Sequence, residues 1–140
     1  MSDPIPAGTI AWIDLTSGDA ERARDFYAAV VGWQPDVSEM DGYDDYIMNA
    51  ADGQPVAGIC HAKGISEDLP AQWLIYIAVA DLDAALAKVV ACGGEIVCPP
   101  REAFARFAVI RDPAGAVCAI YEPVELEGDD ELEAVDLDET

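Results

Sequence analysis

Shifted by 62 residues, the sequence lies over itself. Trp12 falls on Leu74, Ile13 on Ile75, Leu15 on Ile77, Asp19 on Asp81, Ala23 on Ala85, Gly32 on Gly94 and Gly53 on Gly115. The coincident positions are mostly punctuation, in that both aspartates precede apolar helical patterns and both glycine pairs sit where elements must stop or turn. Such a chain is expected to fold as two copies of one unit around shared apolar surface. Its 140 residues give room for a single domain of that kind.

Each copy reads as a strand, a helix and then further strands. Thr9 to Thr16 alternates with period two, and Asp19 caps a helix running from Ala20 to about Val31, with Ala20, Ala23, Phe26, Tyr27 and Val30 on one stripe. Gln34 to Asp45 is turn-rich and reads as an exposed loop. Tyr46–Asn49 and Val56–Ala62 flank the hairpin turn at Asp52-Gly53. The pattern restarts after the linker Lys63 to Ala71. A strand is expected over Gln72–Ala80, a helix over Leu82–Cys92 behind Asp81, and a strand over Glu95–Cys98 broken by Pro99-Pro100. Strands over Phe104–Ile110 and Ala116–Glu122 enclose the turn Asp112-Pro113-Ala114-Gly115.

Charge excludes several partners. There are 28 acidic against 7 basic residues, a net charge of −21, so nucleic acid and anionic membrane surfaces are repelled. Ten acids and no base lie in the last 19 residues, so 125–140 is expected to be a mobile, solvated tail. An interaction role for that tail stays open. With only Lys63 and Lys88 as lysines, the acidity would also suit a high-salt cytoplasm. Cys60, Cys92, Cys98 and Cys118 form no Cys-x-x-Cys pair and read as thiols. No apolar run is long enough to cross a bilayer, and Met-Ser-Asp-Pro-Ile-Pro lacks the features of a secretory leader, so a cytoplasmic location is expected.

Trp12-x-Asp14-Leu15-x-x-x-Asp19, Phe26-Tyr27 and Gly32-Trp33 resemble the opening of the glyoxalase/bleomycin resistance protein/dioxygenase proteins, the vicinal oxygen chelate superfamily. Val79-x-Asp81, Gly93-Gly94 and Asp112-Pro113-x-Gly115 extend the resemblance through the second half. It implies an α+β domain over residues 8–124, with βαβββ repeats at 8–63 and 71–124 forming a curved mixed sheet around a cavity. It also implies a homodimer. Metal-using members draw one ligand from each of four strands. Carried over, those positions fall on Trp12, Ala57, Leu74 and Ala119, none of which offers a metal donor. No metal and no cofactor are therefore expected, and the partner expected is a small organic molecule.

Alternation places Trp12, Asp14, Ala57, Ile59, His61, Leu74, Tyr76, Ala119 and Tyr121 on the cavity side. Asp14 is the candidate catalytic base or hydrogen-bond anchor, since burial would raise its pKa; it could equally face solvent at the mouth. His61 is either a pocket residue or an ordinary strand-end histidine. Tyr76 and Tyr121 fit a pocket wall and core packing alike. The nucleophile–base neighbours Cys60 and His61 point to opposite faces and cannot act together. Three functions remain open: a binding protein of the drug-sequestering kind, a lyase, isomerase or dioxygenase with a non-standard site, and a protein-interaction role.

Overall fold

The computed structural model describes residues 5–40, 42–63, 69, 71–102 and 105–123. The tail at 125–140, most of the linker and Phe104 lie outside the described residues. The first unit comprises β1 (Ile10–Ser17), α1 (Ala20–Val31), β2 (Gln34–Glu39), β3 (Asp44–Asn49) and β4 (Pro55–His61). The second comprises β5 (Trp73–Ala78), α2 (Leu82–Ala91), β6 (Glu95–Glu102), β7 (Arg106–Arg111) and β8 (Val117–Glu122). The fold is α+β, with eight strands in one mixed sheet of order β2-β3-β4-β1-β5-β8-β7-β6. β1 pairs with β4, and β5 with β8, in parallel; β1 and β5 join the two units antiparallel at the centre. The second unit thus repeats the strand order of the first.

The helices start where the aspartates satisfy free amides. Asp19 Oδ1 accepts from the Arg22 amide at 3.1 Å and Asp81 Oδ1 from the Ala84 amide at 3.0 Å. Glu122 on β8 accepts from the Leu82 amide at 2.6 Å, tying α2 to the sheet. Asp81→Ala is expected to cost about 1 kcal/mol in a urea unfolding titration, and Asp81→Asn clearly less, because asparagine keeps the capping oxygen. The helix stops differ between units. Gly32 takes a left-handed conformation (φ 80°), whereas in the second unit Gly93 does so (φ 91°) and Gly94 lets the Arg111 carbonyl approach where a Cβ would intrude.

The apolar faces divide between the two sides of the sheet. Ala20 of α1 packs with Tyr46, Met48 and Ile59, beside Tyr27, Trp33 and Trp73; the Trp73 indole donates to the Tyr27 hydroxyl at 3.1 Å. Leu82 and Leu86 of α2 pack with Ala108 and Ile120. On the opposite side, Leu74, Tyr76, Ala78, Phe107, Val109, Ala119 and Tyr121 form the core of the second unit.

Three expectations need correction. Gln34–Glu39 is a strand, not a loop; five of its six residues are exposed, so no buried face imposes a period. Asn49 fixes it by donating to the Gln34 carbonyl (3.1 Å) and Asp36 (2.9 Å), and its edge position tolerates Pro35. Pro99-Pro100 does not end β6, because register shifts between Ile96 and Cys98 and between Cys98 and Arg101 absorb the two prolines at the other edge. Phe26 and Val30, placed on the packing stripe of α1, are 56% and 61% exposed.

Candidate functional site

A cavity of about 490 Å³ opens on the side of the sheet away from the helices. Its centre is the β1–β5 seam, where Trp12 and Asp14 of β1 meet Tyr76 of β5. β4 adds Gly58 and Cys60, β3 adds Asp45 and Ile47 beside Tyr46, and β7 and β8 add Phe107 and Tyr121. Ala11, Ala105 and Ile5 complete the wall, with Ser38 and Met40 at the β2 end. The wall is predominantly apolar. Tyr76 lies 5.8 Å from Phe107 and 6.3 Å from Tyr121 between ring centres, so one side is an aromatic cluster.

Asp14 is the polar centre of this surface. The Trp12 indole donates to its Oδ1 at 2.5 Å, and the nearby Tyr76 hydroxyl also favours its charged form. Burial pushes the Asp14 carboxyl up to about 6, opposed by those two groups and reinforced by the charge of Asp45. Burial also drives up the Cys60 thiol and Tyr76 hydroxyl, with the Asp14 charge adding to both. Both groups stay protonated at neutral pH, so Cys60 is a poor nucleophile and Tyr76 remains a donor. Among the described residues no three His, Cys, Asp or Glu side chains are grouped to hold a metal ion.

Gly58 makes room for the carboxylate. A Cβ at this position would overlap Asp14 Oδ1 and would lie 3.5 Å from the Trp12 indole nitrogen. Asp14 and Gly58 are register partners across the parallel β1–β4 pair, so the carboxylate rests over a bare stretch of backbone.

Trp12, Asp14, Tyr76 and Tyr121 come together on the cavity wall. Leu74 and Ala119 lie on the same side but inside the second unit's core, 1% and 0% exposed, and do not border the cavity. Ala57, Ile59 and His61 are turned away from it. Ile59 packs under α1, and Ala57 shares that side by alternation. The His61 ring holds its Nδ1 2.8 Å from the Asp44 carbonyl, while its backbone amide donates to Asp45 at 2.8 Å. The cause is one residue. Met48 pairs with Ala57 but Asn49 pairs with Pro55, leaving Val56 as a bulge that reverses the parity of β4 relative to an unbroken strand. The β7–β8 hairpin keeps an unshifted register, so the 62-residue correspondence fails after Val56. Cys60 and His61 do face opposite ways, with Cys60 on the cavity side.

Sequence reasoning missed Asp45, Ile47, Gly58, Cys60 and Phe107. Phe107 had a usable signal, because it alternates with Val109 on a strand facing Tyr121. Asp45 had none, since Asp44-Asp45 looks like a loop acid pair.

With this geometry in view, the chain belongs to the Glyoxalase/Bleomycin resistance protein/Dioxygenase superfamily, whose profile matches residues 9–120. It is 33% identical over 135 residues to the anthracycline biosynthesis protein DnrV of Streptomyces peucetius, covering 86% of this chain and 49% of DnrV. It is 35% identical over 119 residues to the putative glyoxylase CFP32 of Mycobacterium bovis, covering 83% of this chain and 44% of that one. The chain therefore spans about half the length of the curated relatives it matches. Among solved structures, methylmalonyl-CoA epimerase from Mycobacterium tuberculosis superposes with a TM-score of 0.53 at 19% identity, covering 86% of this chain and 94% of the epimerase. That likeness concerns the fold.

Proposed function

We propose that this protein binds a small organic molecule in the cavity over β1 and β5, without a metal ion. The observation that carries the reading is the wall itself: Trp12, Tyr76, Phe107 and Tyr121 around a single anchored carboxylate, Asp14. The four positions at which metal-using relatives place ligands do not fit a metal here. Trp12, Leu74 and Ala119 carry no donor, and the shift in β4 exchanges Ala57 for Gly58, a methyl group for a hydrogen. Similarity to a protein named for anthracycline biosynthesis is in keeping with an organic ligand.

Trp12 provides the test. Trp33 and Trp73 lie in the cluster under α1, on the other side of the sheet, so a ligand in the cavity should perturb only the Trp12 emission. A saturable change on titration with aromatic compounds, abolished in Trp12→Phe, is expected. Saturable changes that persist in Trp12→Phe would place binding elsewhere and defeat the reading.

A second reading, a metal-free isomerase, is favoured by one observation: a carboxyl near pKa 6 in a cavity suits proton transfer at neutral pH. It requires deuterium uptake from heavy water into a carbon acid, lost in Asp14→Asn. A homodimer is proposed as well. Its support is that the chain matches about half of each relative and that α1 leaves Phe26, Val30 and Val31 more than half exposed. Light scattering that gave the monomer mass at working concentration would remove it.

A further inference from the structure

Asp14 carries a charge that no cationic group among the described residues answers. Among the described residues the cavity wall includes two carboxylates, Asp14 from β1 and Asp45 from β3, and no Lys, Arg or His side chain. The polar groups that favour the Asp14 charge, the Trp12 indole that donates to it and the nearby Tyr76 hydroxyl, are both neutral. Asp45 accepts from the backbone amide of His61 at 2.8 Å, and the His61 ring, with Nδ1 2.8 Å from the Asp44 carbonyl, lies 3.7 Å from Asp45 Oδ1, so Asp45 has a partner that Asp14 lacks. At Asp14, neutral donors satisfy lone pairs but leave the negative charge without a counter-charge, an arrangement that costs the folded protein stability. A carboxylate has about four acceptor sites, and two such neighbours leave capacity for a ligand.

We propose that the cavity selects organic cations: an apolar, preferably aromatic, molecule bearing a protonated amine whose ammonium group is held by Asp14. The inference rests on the binding reading above and names its ligand class. The ammonium supplies both the missing charge and three donors. The ring faces of Trp12, Tyr76, Phe107 and Tyr121 favour a cation and accommodate its apolar body. Asp45 adds field without needing direct contact. The same field, with a net charge of −21 on the chain, disfavours anions.

The test compares three probes of one shape: 1-naphthylmethylamine, 1-naphthalenemethanol and 1-naphthoate, titrated calorimetrically at neutral pH and physiological ionic strength. The amine is expected to bind at least about tenfold more tightly than the alcohol, and the naphthoate to be the weakest of the three. Asp14→Asn should bring the amine to within about threefold of the alcohol while leaving the alcohol little changed, and Asp45→Asn should produce a smaller loss. Amine and alcohol binding equally well to the unaltered protein would overturn the charge selection and leave the binding reading standing. If Asp14→Asn weakened both probes alike, Asp14 would not be the ammonium site. Absence of binding by all three at millimolar concentration would overturn this inference and the binding reading together.

Discussion

Asp14→Asn is expected to make the folded protein more stable at neutral pH while stripping the cavity of its selectivity. The carboxyl sits at about 6 in the folded protein against an ordinary value of 3.8. An acid whose pKa is raised by folding binds protons more tightly in the folded state. Stability therefore falls as pH rises from about 4 to about 7, and the full cost, up to about 3 kcal/mol, is present above that window. Below it the group is protonated in both states and costs nothing. Asparagine carries no charge to desolvate and can still accept from the Trp12 indole. The difference in unfolding free energy between variant and parent should accordingly be near zero at pH 4 and grow to about 2–3 kcal/mol in favour of the variant at pH 7.5. Comparing the two proteins cancels the titration of the acids that do not interact with Asp14, which leaves Asp45 as the one coupled acid named for it. The groups facing Asp14 are Trp12, Asp45, Cys60 and Tyr76, and of these Cys60 and Tyr76 stay neutral across the window. A flat difference across that range would mean that Asp14 is solvated. Retaining a destabilising carboxylate is what a functional group in a binding cavity looks like, stability given up for chemistry.

Gly58→Ala is the second large effect. The new methyl would overlap Asp14 Oδ1, so the carboxylate must swing out and break its bond with the Trp12 indole. A hydrogen bond to a charged group contributes about 1.5–3 kcal/mol, partly offset by the better strand propensity of alanine over glycine. Because the swing also returns to water a carboxylate whose burial is costly, the net change in stability at neutral pH is expected to stay within about 1 kcal/mol, with Trp12 emission shifted to the red as the indole loses its partner. Binding of the cationic probe should weaken about tenfold, because its anchor has moved. Unchanged emission and binding in Gly58→Ala would mean that the carboxylate does not rest over this glycine.

Much of the architecture was legible because each unit marks its own joints. Asp19 and Asp81 announced two helices that begin at Ala20 and Leu82, and the repeat announced a sheet built twice. The central strands were legible because one face of each is buried, which is why Trp12, Asp14 and Tyr76 could be assigned to the cavity side. The edges were not. β2 buries almost nothing, so it has no period to read, and β6 runs through two prolines only because an edge strand has spare register. The cavity-facing side of β4 depended on a bulge at Val56, a residue indistinguishable in sequence from its neighbours in the strand. One unpaired residue replaced Ala57, Ile59 and His61 by Gly58 and Cys60 on the wall. The importance of Gly58 is a matter of three-dimensional contact with Asp14, and no local pattern carries it.

Uptake of an organic molecule by the cavity with no metal present is the property to measure first. A ¹H–¹⁵N correlation titration of chelator-treated protein with 1-naphthylmethylamine reads this residue by residue. Saturable shifts centred on the Trp12 indole and on the Gly58, Cys60 and Tyr76 amides, unchanged when Zn²⁺, Ni²⁺ or Mg²⁺ is added, are the predicted result. Shifts that appear only after a metal is supplied, or that centre away from β1 and β4, would contradict it.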